Sequence, residues 1–436
     1  MYLAEFILLE NLLWETAEGR LSKKYIQQYK PFPLPSKDAR LFNPSDVSII
    51  VPTVGFDPES FSRAIISWLA NSPLEIIIVT IYSERQKVID FLDSERIRAA
   101  NEGTSTEITI ESILRPNKRD QLITGVREST GRIIAFADDD VLWNPHTLLH
   151  LLAPFQESDI GLVGGPIESY LPENRQDASV ITPYEVAALR NRSKRRGGNK
   201  AFYAYDGSTN FTVSGATMLL RSAVVRDPEF QNAFIQEKFA GIRQNSGDDA
   251  FITRWVLFQH LRKDRQSTQK WRLGMQLTPE ATVSTTLMTD RRFIDQMKRW
   301  LRTGLRFRLI CLSQDPGLWN FWHNTPYMCR KMVEGLYNPL LNIIWYVAFF
   351  ITLRRRPLMA IFLALYYLYG LVSGMWAFAQ EFPYCRRKIW AAVIADKISL
   401  VSDFYSWATL ASESWASRQG VDDAGKGERR RMDLDE

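Results

Sequence analysis

The sequence predicts an α/β domain with a mostly parallel, Rossmann-like sheet, followed by interfacial and transmembrane helices. Two observations carry this prediction. Short apolar runs alternate with helical patterns between residues 46 and 300 of the 436-residue chain, which is typical of strands joined by crossover helices. Apolar residues then cluster late in the chain, so the mean hydropathy of −0.20 averages a soluble part and a membrane part.

Length and charge limit the classes of protein that fit. The chain is too long for one typical domain, and we expect four parts: an N-terminal segment (1–43), the α/β domain (44–312), interfacial and transmembrane helices (313–412) and a tail (413–436). The 54 basic and 49 acidic residues give a net charge of only +5, which is far from the footprint of a nucleic-acid binder. Three scattered cysteines suit a reducing compartment.

Four apolar runs predict the first strands of the sheet. They occupy residues 47–51, 76–80, 108–114 and 133–137, and helical spacing at residues 60–70 separates the first two. Two more runs, residues 161–166 and 214–221, are entered through glycine-bearing turns and predict further strands. The basic run of residues 190–200 is predicted to be a mobile surface loop.

Three consecutive carboxylates, Asp138, Asp139 and Asp140, follow the fourth run. Like charges at the end of a buried strand repel one another unless a cation lies among them, and divalent cations prefer oxygen ligands. Ligands of open α/β sheets also bind at this edge. The stretch therefore predicts a metal site for a phosphorylated substrate, with Asp138 and Asp140 as a D-x-D pair. An acidic turn that caps the strand is the alternative interpretation.

Two further charged pairs stand at predicted helix starts. Lys118 and Arg119 oppose the helix dipole unless an anion is bound nearby, although solvated loop charges are the simpler explanation. Asp248 and Asp249 precede a helical pattern over residues 250–260. Helix capping explains one of these two carboxylates, and a deprotonated Asp249 facing a cleft would act as general base for an incoming hydroxyl.

A third cluster lies in the segment D-Q-M-K-R-W. Gln296, Arg299 and Trp300 fall on one face of a helix by the i, i+3, i+4 rule. They suit a sugar-phosphate ligand, because Arg299 can fork onto phosphate oxygens and Trp300 offers a flat face to a sugar ring. A basic amphipathic helix on a lipid surface is the alternative, and both descriptions can hold together.

Apolar segments after Trp300 predict association with a lipid bilayer. Residues 358–380 are long enough to cross roughly 30 Å of hydrocarbon, whereas residues 339–353 cross only with thinning or help from neighbours. Residues 389–410 carry three charges and predict either an interfacial helix or a span that lines a polar channel. Residues 6–14 are too short to span and predict a helix on a membrane or domain surface. Charge leaves the number of crossings open.

The ordered motifs resemble those of a known family. V-S-I-I-V-P-T, K-R, D-D-D, S-G-A, G-D-D and Q-M-K-R-W follow one another as in the processive glycosyltransferases of family 2, the group of hyaluronan, chitin and cellulose synthases. The resemblance is greatest to the hyaluronan-synthase-like and capsule-type polysaccharide synthases of fungi. It covers residues 46–300 well and the remainder more loosely.

The resemblance implies a fold, an activity and a location. It implies a GT-A catalytic domain and an inverting enzyme that adds sugars from a UDP-sugar donor to a polysaccharide acceptor, with Mg²⁺ or Mn²⁺ as cofactor. The protein would be integral to the plasma membrane or a secretory-pathway membrane, with a cytosolic catalytic domain. A homo-oligomer is compatible with the sequence, and no nucleic-acid partner is expected.

The resemblance also implies roles for the motif residues. Asp138 and Asp140 would hold the metal against the diphosphate, and Asp249, beside Asp248, would be the base. Residues implied at the nucleotide sugar are Lys118, Arg119, Asp138, Asp139, Arg299, Trp415 and Arg418. Residues implied at the acceptor are Gln296, Trp300, Ser214 and Gly215. The tail segment W-A-S-R resembles the W-G-T-R segment that hyaluronan synthases fold over the nucleotide. Thr80 stands where the family usually has an Asp that contacts the uracil or ribose.

Two other classes of function stay open. A non-processive enzyme would transfer one sugar to a lipid or short acceptor, and the Q-x-x-R-W motif speaks against it. A catalytically silent membrane scaffold would not need the carboxylates at positions 138, 140 and 249. A metal-dependent nucleic-acid enzyme is a distant third, because no basic groove interleaved with aromatic residues is apparent. The sequence does not identify the sugar or the polymer.

Overall fold

The structure is a computed structural model that describes residues 2–194, 197–262 and 269–410, and these contain twelve β-strands and seventeen α-helices. The strands are β1 (Val47–Pro52), β2 (Glu75–Ile81), β3 (Glu107–Ile113), β4 (Ile133–Ala137), β5 (Val141–Trp143), β6 (Ile160–Gly164), β7 (Ile167–Tyr170), β8 (Thr217–Arg221), β9 (Lys238–Phe239), β10 (Ile242–Arg243), β11 (Arg272–Met275) and β12 (Val283–Thr286). The helices of the first half are α1 (Leu3–Gln28), α2 (Pro58–Leu69), α3 (Arg85–Leu92), α4 (Glu95–Asn101), α5 (Lys118–Glu128), α6 (Thr147–Leu152), α7 (Pro183–Ser193) and α8 (Gly198–Asp206). Those of the second half are α9 (Ser222–Val225), α10 (Pro228–Gln236), α11 (Asp248–Phe258), α12 (Arg292–Ser313), α13 (Leu318–Asn324), α14 (Pro326–Arg355), α15 (Pro357–Glu381), α16 (Ile389–Lys397) and α17 (Ser399–Ala408).

The main sheet has seven strands in the order β11-β6-β8-β4-β1-β2-β3. All of its pairs are parallel except those of β8, which runs antiparallel to both β4 and β6. Each of the six apolar runs that predicted a strand contributes one strand to this sheet. The prediction of a mostly parallel α/β sheet is therefore confirmed.

The two faces of the sheet are both buried, which explains why its central strands read as continuous apolar runs. In β1, Ile49 and Val51 join the core that contains Trp68 of α2, whereas Ile50 faces the core that contains Leu122 of α5. Parallel β1, β2 and β4 end at one edge, and antiparallel β8 begins there. This edge collects the sequence segments that carry the predicted chemistry.

A small three-stranded sheet extends beyond the acidic stretch. Its central strand, β12, pairs antiparallel with β5 and parallel with β7. Strand β5 begins at Val141, directly after Asp140, so the acidic turn links the two sheets. These strands are too short to carry an apolar run that would predict them from the sequence.

The prediction of a mobile loop at residues 190–200 is wrong for the residues of this run that the structure describes, 190–194 and 197–200. Helix α7 continues through Ser193, and α8 begins at Gly198. Arg190 donates to the carboxylate of Asp396 on α16, with 2.8 Å between Nη2 and Oδ2, and Lys194 pairs with the same carboxylate. Arg190 and Lys194 are therefore held by a carboxylate that lies about two hundred residues further along the chain.

Two helices of the C-terminal part, α14 and α15, are long and apolar enough to cross a membrane. Helix α14 is longer than the predicted segment, because it begins inside the α/β domain, where Met328 and Met332 are buried. Residues 389–410 contain two short helices, α16 and α17. Helix α16 packs on α7.

The apolar N-terminal segment is helical, as predicted, but α1 is 26 residues long. It runs antiparallel to α14. Glu18, in the second half of α1, pairs with Arg330 near the start of α14, at 2.5 Å. Ala4, near the start of α1, packs in one apolar cluster with Ala348 in the second half of α14. The segment therefore lies along the first candidate span and not only on the surface of the α/β domain.

Candidate active site

The site is organised around Lys118, which binds two carboxylates from distant parts of the chain. Its Nζ atom lies 2.8 Å from Oδ1 of Asp138 and 3.0 Å from Oδ2 of Asp248. Asp138 follows β4, and Asp248 begins α11. The acidic stretch and the G-D-D motif, which the sequence predicted separately, therefore meet at one ammonium group.

Local structure fixes Lys118 at this place. The side chain of Asn117 caps α5 by accepting from the backbone N–H groups of Arg119 and Asp120. The Lys118 N–H donates to Oδ1 of Asn245, 3.1 Å away, in the loop before α11. The start of α5 is thereby tied to the loop that carries Asp248.

Charge pairing keeps Lys118 and Asp248 ionised. Burial opposes the charged form of Lys118, but the charges of Asp138 and Asp248 outweigh that effect and raise the pKa of the ammonium well above its ordinary value. Burial alone would likewise raise the pKa of Asp248, but the charge and hydrogen bond of Lys118 lower it below the ordinary value. Asp248 is therefore held as a carboxylate and has no free role as a proton acceptor.

Asp249 has the opposite electrostatic environment. Its Oδ1 accepts from the Ala250 N–H at 2.8 Å, and its Oδ2 accepts from the Gly215 N–H at 3.4 Å. Burial, together with the negative charge of Asp248, raises the pKa of Asp249 to about 6. Its side chain is partly exposed, so a substrate hydroxyl can approach it. A carboxylate with a pKa near neutrality suits a general base.

Gly215 leaves the room that the carboxylates occupy. A β-carbon at this position would lie 3.3 Å from Cβ of Asp249, 3.4 Å from Oδ2 of Asp248 and 3.6 Å from Nζ of Lys118. The neighbouring Ser214 hydroxyl accepts from the Ala216 N–H within the same turn. The S-G-A segment thus lies against the base and its supporting ion pair.

The other two carboxylates of the acidic stretch face different neighbours. Asp139 is 3% exposed and accepts from the hydroxyl of Thr53 at the end of β1, so it holds the acidic turn against the sheet. Asp140 accepts from the hydroxyl of Thr286 at 3.4 Å, on β12. The acidic turn is therefore fixed by both sheets.

The carboxylates fit a cation that is shared with a substrate. Among residues 2–194, 197–262 and 269–410, no three His, Cys, Asp or Glu side chains are grouped closely enough to hold a metal by themselves. Mg²⁺ is commonly bound by one or two carboxylates plus phosphate oxygens of the substrate. Asp138, with its side chain 35% exposed, and Asp140 meet that requirement in number and chemistry.

Helix α12 packs against the same region. A β-carbon on Gly247 would lie 2.9 Å from Cγ2 of Thr303, so α12 closely approaches the G-D-D turn. One turn earlier, the Trp300 ring lies under the guanidinium of Arg192 at 5.5 Å, and Arg192 donates to the Thr285 hydroxyl at 3.1 Å. Thr285 precedes Thr286, the partner of Asp140. Strand β12 therefore connects the surroundings of Trp300 with those of the acidic stretch.

Gln296 and Arg299 belong to the same helix as Trp300, and all three side chains are partly exposed. They occupy one face of α12, as the spacing predicted. Trp415 and Arg418 lie outside the described residues. Thr80 lies in β2 and is fully buried.

Arg119 differs from Lys118 in its environment. It is 1% exposed, and its guanidinium donates to the Phe234 carbonyl, the Glu237 carboxylate and the Ser246 carbonyl. These contacts tie α5 to the loop before α11 from inside the protein. The structure thus places Arg119 behind the site and Lys118 within it.

Several residues at the site were not identified from sequence. Thr53, Asn245 and Thr286 hold the acidic turn and the start of α5, and Arg192 contacts Trp300. Thr53 could have been found, because it follows a strand that ends at the ligand-binding edge. Arg192 carried no such signal, since its run reads as surface charge.

Comparison with known proteins agrees with this architecture. Residues 44–303 match the family described as "Glycosyltransferase like family 2". The chain is 31% identical over 410 residues to the NDP-glycosyltransferase ltbB of Aspergillus luteorubrus, covering 93% of this chain and 96% of that one. It is 27% identical over 416 residues to a type 2 glycosyltransferase of Zymoseptoria tritici, covering 93% and 82%.

A solved structure shares the fold. The mannosyltransferase PcManGT from Pyrobaculum calidifontis, determined in complex with GDP-Man and Mn²⁺, superposes with a TM-score of 0.54 at 15% identity. The match covers 95% of this chain and 99% of that chain, so it includes the C-terminal helices. The family match over most of the α/β domain and the relative of nearly equal length show that this chain belongs to the family 2 glycosyltransferases, with a GT-A fold.

Proposed function

We propose that this glycosyltransferase is a membrane-bound, inverting enzyme that adds sugars from a UDP-sugar to a growing polysaccharide, with Asp249 as general base. One observation carries the proposal. Lys118 joins Asp138 to Asp248, and this brings the acidic turn expected at the diphosphate near Asp249, whose pKa of about 6 suits proton transfer. A catalytically silent scaffold would have no need for this electrostatic difference between Asp248 and Asp249.

The proposed reaction is a single displacement. Asp249 accepts the proton of an acceptor hydroxyl, and that oxygen forms a bond to the anomeric carbon of the donor sugar. The bond from that carbon to the diphosphate oxygen breaks, and the nucleoside diphosphate leaves with the electron pair. Attack opposite the leaving group inverts the configuration of the anomeric carbon.

The chain supplies charge around the leaving group. Lys118 and Arg299 are the cations that we assign to the developing negative charge of the diphosphate. Asp138 and Asp140 would hold Mg²⁺ or Mn²⁺, which when bound neutralises charge on the same group. We assign Asp139 to positioning through Thr53, and Arg119 to a structural role in which it ties α5 to the loop before α11 without contacting the nucleotide.

The acceptor side is assigned to the segments that surround Asp249. Gly215 and Ser214 belong to the turn beside it, and we assign Gln296 and Trp300 of α12 to the acceptor as well. The Q-x-x-R-W pattern supports a processive enzyme. Transfer of one sugar to a lipid acceptor is the second candidate, which the adjacent helices α14 and α15 favour because they bring a bilayer close to the site.

The same two helices support a location in the membrane. We place α14 and α15 in the bilayer and the GT-A domain on the cytosolic side, where nucleotide sugars and reduced cysteines are expected. Trp415 and Arg418 would contact the nucleotide from the tail. A homo-oligomer is compatible with this arrangement.

The test is transfer by purified membranes that contain the full chain. UDP-glucose, UDP-GlcNAc, UDP-glucuronate and GDP-mannose are supplied in turn, and nucleotide release and product length on a gel are measured. Asp249→Asn should abolish transfer and retain binding of the nucleotide sugar. The matched control is Asp38→Asn, because Asp38 is exposed and lies outside the site. Near-normal turnover by Asp249→Asn would refute the proposed base, and a product with a single added sugar would refute processivity.

A further inference from the structure

A cavity lies beside the site, and of the site residues named above only Arg192 lines it. Its volume is about 750 Å³, and it lies between β7 with the loop after it, the end of α7 and the turn that follows α15. The residues that matter for its chemistry are Arg63, Tyr170, Asn174, Gln176, Arg192 and Tyr384.

The cavity adjoins the reaction site on one side. Arg192, in its wall, lies over the Trp300 ring at 5.5 Å. A smaller cavity of about 210 Å³ shares Arg63 and Tyr170 with it and reaches Thr286, whose hydroxyl donates to Asp140. The cavity therefore adjoins the Q-x-x-R-W helix through Arg192, and the smaller cavity adjoins the acidic stretch through Thr286.

The other side of the cavity meets the membrane helices. Phe382 and Tyr384 contribute to its wall, and they follow α15 directly. Helix α7, which forms a third wall, is attached to α16 by the Arg190 to Asp396 ion pair. The position of the cavity between the catalytic domain and the end of a candidate span is therefore fixed by the fold itself.

The walls of the cavity contain hydrogen-bond donors, hydrogen-bond acceptors and aromatic rings. The guanidinium groups of Arg63 and Arg192 are balanced by the carboxylates of Glu168 and Glu173. Arg63 is also committed in part to Glu59, with 2.7 Å between Nε and Oε1. An anionic ligand such as a phosphate group would meet the two carboxylates, whereas a neutral polyhydroxylated ligand can use donors and acceptors alike.

Two amides and two phenol rings complete this chemistry. Asn174 and Gln176 offer both a donor and an acceptor, and Tyr170 and Tyr384 offer flat apolar faces with a polar tip. The volume falls within the roughly 300–1,000 Å³ of sites that enclose small organic ligands. It is therefore large enough for a short oligosaccharide.

We propose that this cavity binds the saccharide acceptor, holding the sugar units that precede the one whose hydroxyl reacts at Asp249. The proposal rests on the glycosyl transfer proposed above and adds an acceptor site that lies between β7, α7 and the turn after α15. Trp300 and Arg192 then form the boundary between the reacting unit and the bound chain. A membrane-borne lipid phosphate is the competing occupant, and the walls favour it less because of Glu168 and Glu173.

The test compares acceptor use with donor use in the full-length protein purified in detergent. Cellotetraose and chitotetraose serve as soluble acceptor probes, with the donor that supports nucleotide release. Tyr384→Ala and Asn174→Ala should each raise the KM for the active tetrasaccharide by about tenfold or more, the loss of one good contact. Donor hydrolysis without acceptor should stay unchanged, and Tyr384→Phe should restore most of the affinity.

A control variant and a binding measurement keep the outcomes distinct. Tyr369→Ala removes an exposed ring of α15 that does not line the cavity, and it should leave both rates unchanged. Tetrasaccharide binding is measured by ligand-observed NMR in Asp249→Asn, which reports on the cavity even if the proposed chemistry fails. Absence of tetrasaccharide binding would overturn the acceptor site, as would a parallel loss of hydrolysis and transfer. If the protein binds farnesyl phosphate but not the tetrasaccharide, and the cavity variants lose that binding, the cavity would be a lipid-phosphate site and the proposal would be overturned.

Discussion

Lys118 and Asp248 form an ion pair of 3.0 Å, although one residue begins α5 and the other begins α11. The same ammonium pairs with Asp138 at 2.8 Å. The charge of Lys118 lowers the pKa of Asp249, and the charge of Asp248 raises it. The ionisation of the proposed base therefore depends on a pair that does not itself exchange protons near neutral pH.

The first prediction concerns the pH dependence of the reaction. Asp249 must be deprotonated to accept a proton, and its pKa is about 6. The kcat/KM should therefore be level above that pH and fall about tenfold for each pH unit below it. The measurement is the rate of nucleotide release with saturating acceptor and limiting donor. It covers the range from about pH 4.5 to about pH 8, which brackets the titration of Asp249.

Two variants should move this acidic limb in opposite directions. Asp248→Asn removes a like charge, so it should lower the pKa of Asp249 and shift the limb to lower pH. Lys118→Met removes the cation that lowers this pKa, so the limb should shift to higher pH, and the maximum rate should also fall. If both variants moved the limb in the same direction, a group other than Asp249 would control the profile.

The second prediction concerns the divalent ion. Chelation by EDTA should abolish transfer, and Mg²⁺ or Mn²⁺ should restore it. Loss of groups that only orient metal ligands typically costs 10–100-fold in affinity, so Asp140→Asn should raise the half-saturating metal concentration by at least about tenfold. Asp38→Asn serves as the control because it is exposed and remote. Full activity in EDTA would exclude the proposed metal site.

The sequence predicted those parts of the fold that depend on local pattern. The buried strands β1, β2 and β4 read as apolar runs, because both faces of the sheet are covered. The carboxylates of Asp138 and Asp248 could be assigned to one site, because the order of the motifs resembles that of a known family. These inferences need no knowledge of contacts between distant side chains.

The features that escaped prediction all depend on distant partners. Residues 190–200 read as a solvated loop, since nothing in that run indicates the carboxylate of Asp396. Lys118 and Arg119 are adjacent in the sequence and were predicted as one basic pair. In the structure, however, Arg119 is buried and pairs with Glu237. Tyr170 and Tyr384 carry no motif, and only the packing of α15 and α7 brings them to one cavity.

The third prediction concerns the space beside the base. Gly215→Ala places a methyl group 3.3 Å from Cβ of Asp249 and 3.4 Å from Oδ2 of Asp248, so the carboxylates must move by a few tenths of an ångström. The kcat should fall by about tenfold or more, because general bases act only at short range. Folding stability should change by no more than about 1–3 kcal/mol, the usual cost of overpacking.

The control for this variant is another glycine-to-alanine change. Gly19→Ala lies in α1, where an added β-carbon meets nothing within 4 Å. It should leave kcat unchanged and stabilise the helix by up to about 1 kcal/mol. Equal activity losses in both variants would show that the effect of Gly215→Ala is not specific to the carboxylates.

The fourth prediction separates Arg119 from the nucleotide. Glu237, whose side chain is 11% exposed, pairs with both Arg119, at 2.6 Å, and Arg254. Arg119→Met leaves Glu237 with one cation, so the cost should approach the lower end of the about 3–5 kcal/mol that breaking a buried pair removes. The affinity of the folded protein for the nucleotide should be unchanged. A thermal melt and nucleotide titration of the same sample measure both quantities.

The pH dependence of this loss distinguishes an ion pair from simple packing. Burial alone would raise the pKa of Glu237, but Arg254 and Arg119 lower it below its ordinary value. The pair therefore stabilises the fold above the ordinary carboxylate pKa, and this contribution is lost as the pH falls through the depressed one. In Arg119→Met the pKa of Glu237 rises, so acid destabilisation should begin at higher pH than in the unmodified protein.

Arg243→Met is the matched control, since Arg243 pairs with Asp120 at the surface and its removal should cost at most about 1 kcal/mol. A large rise in the nucleotide Kd of Arg119→Met, with stability unchanged, would instead place Arg119 at the donor.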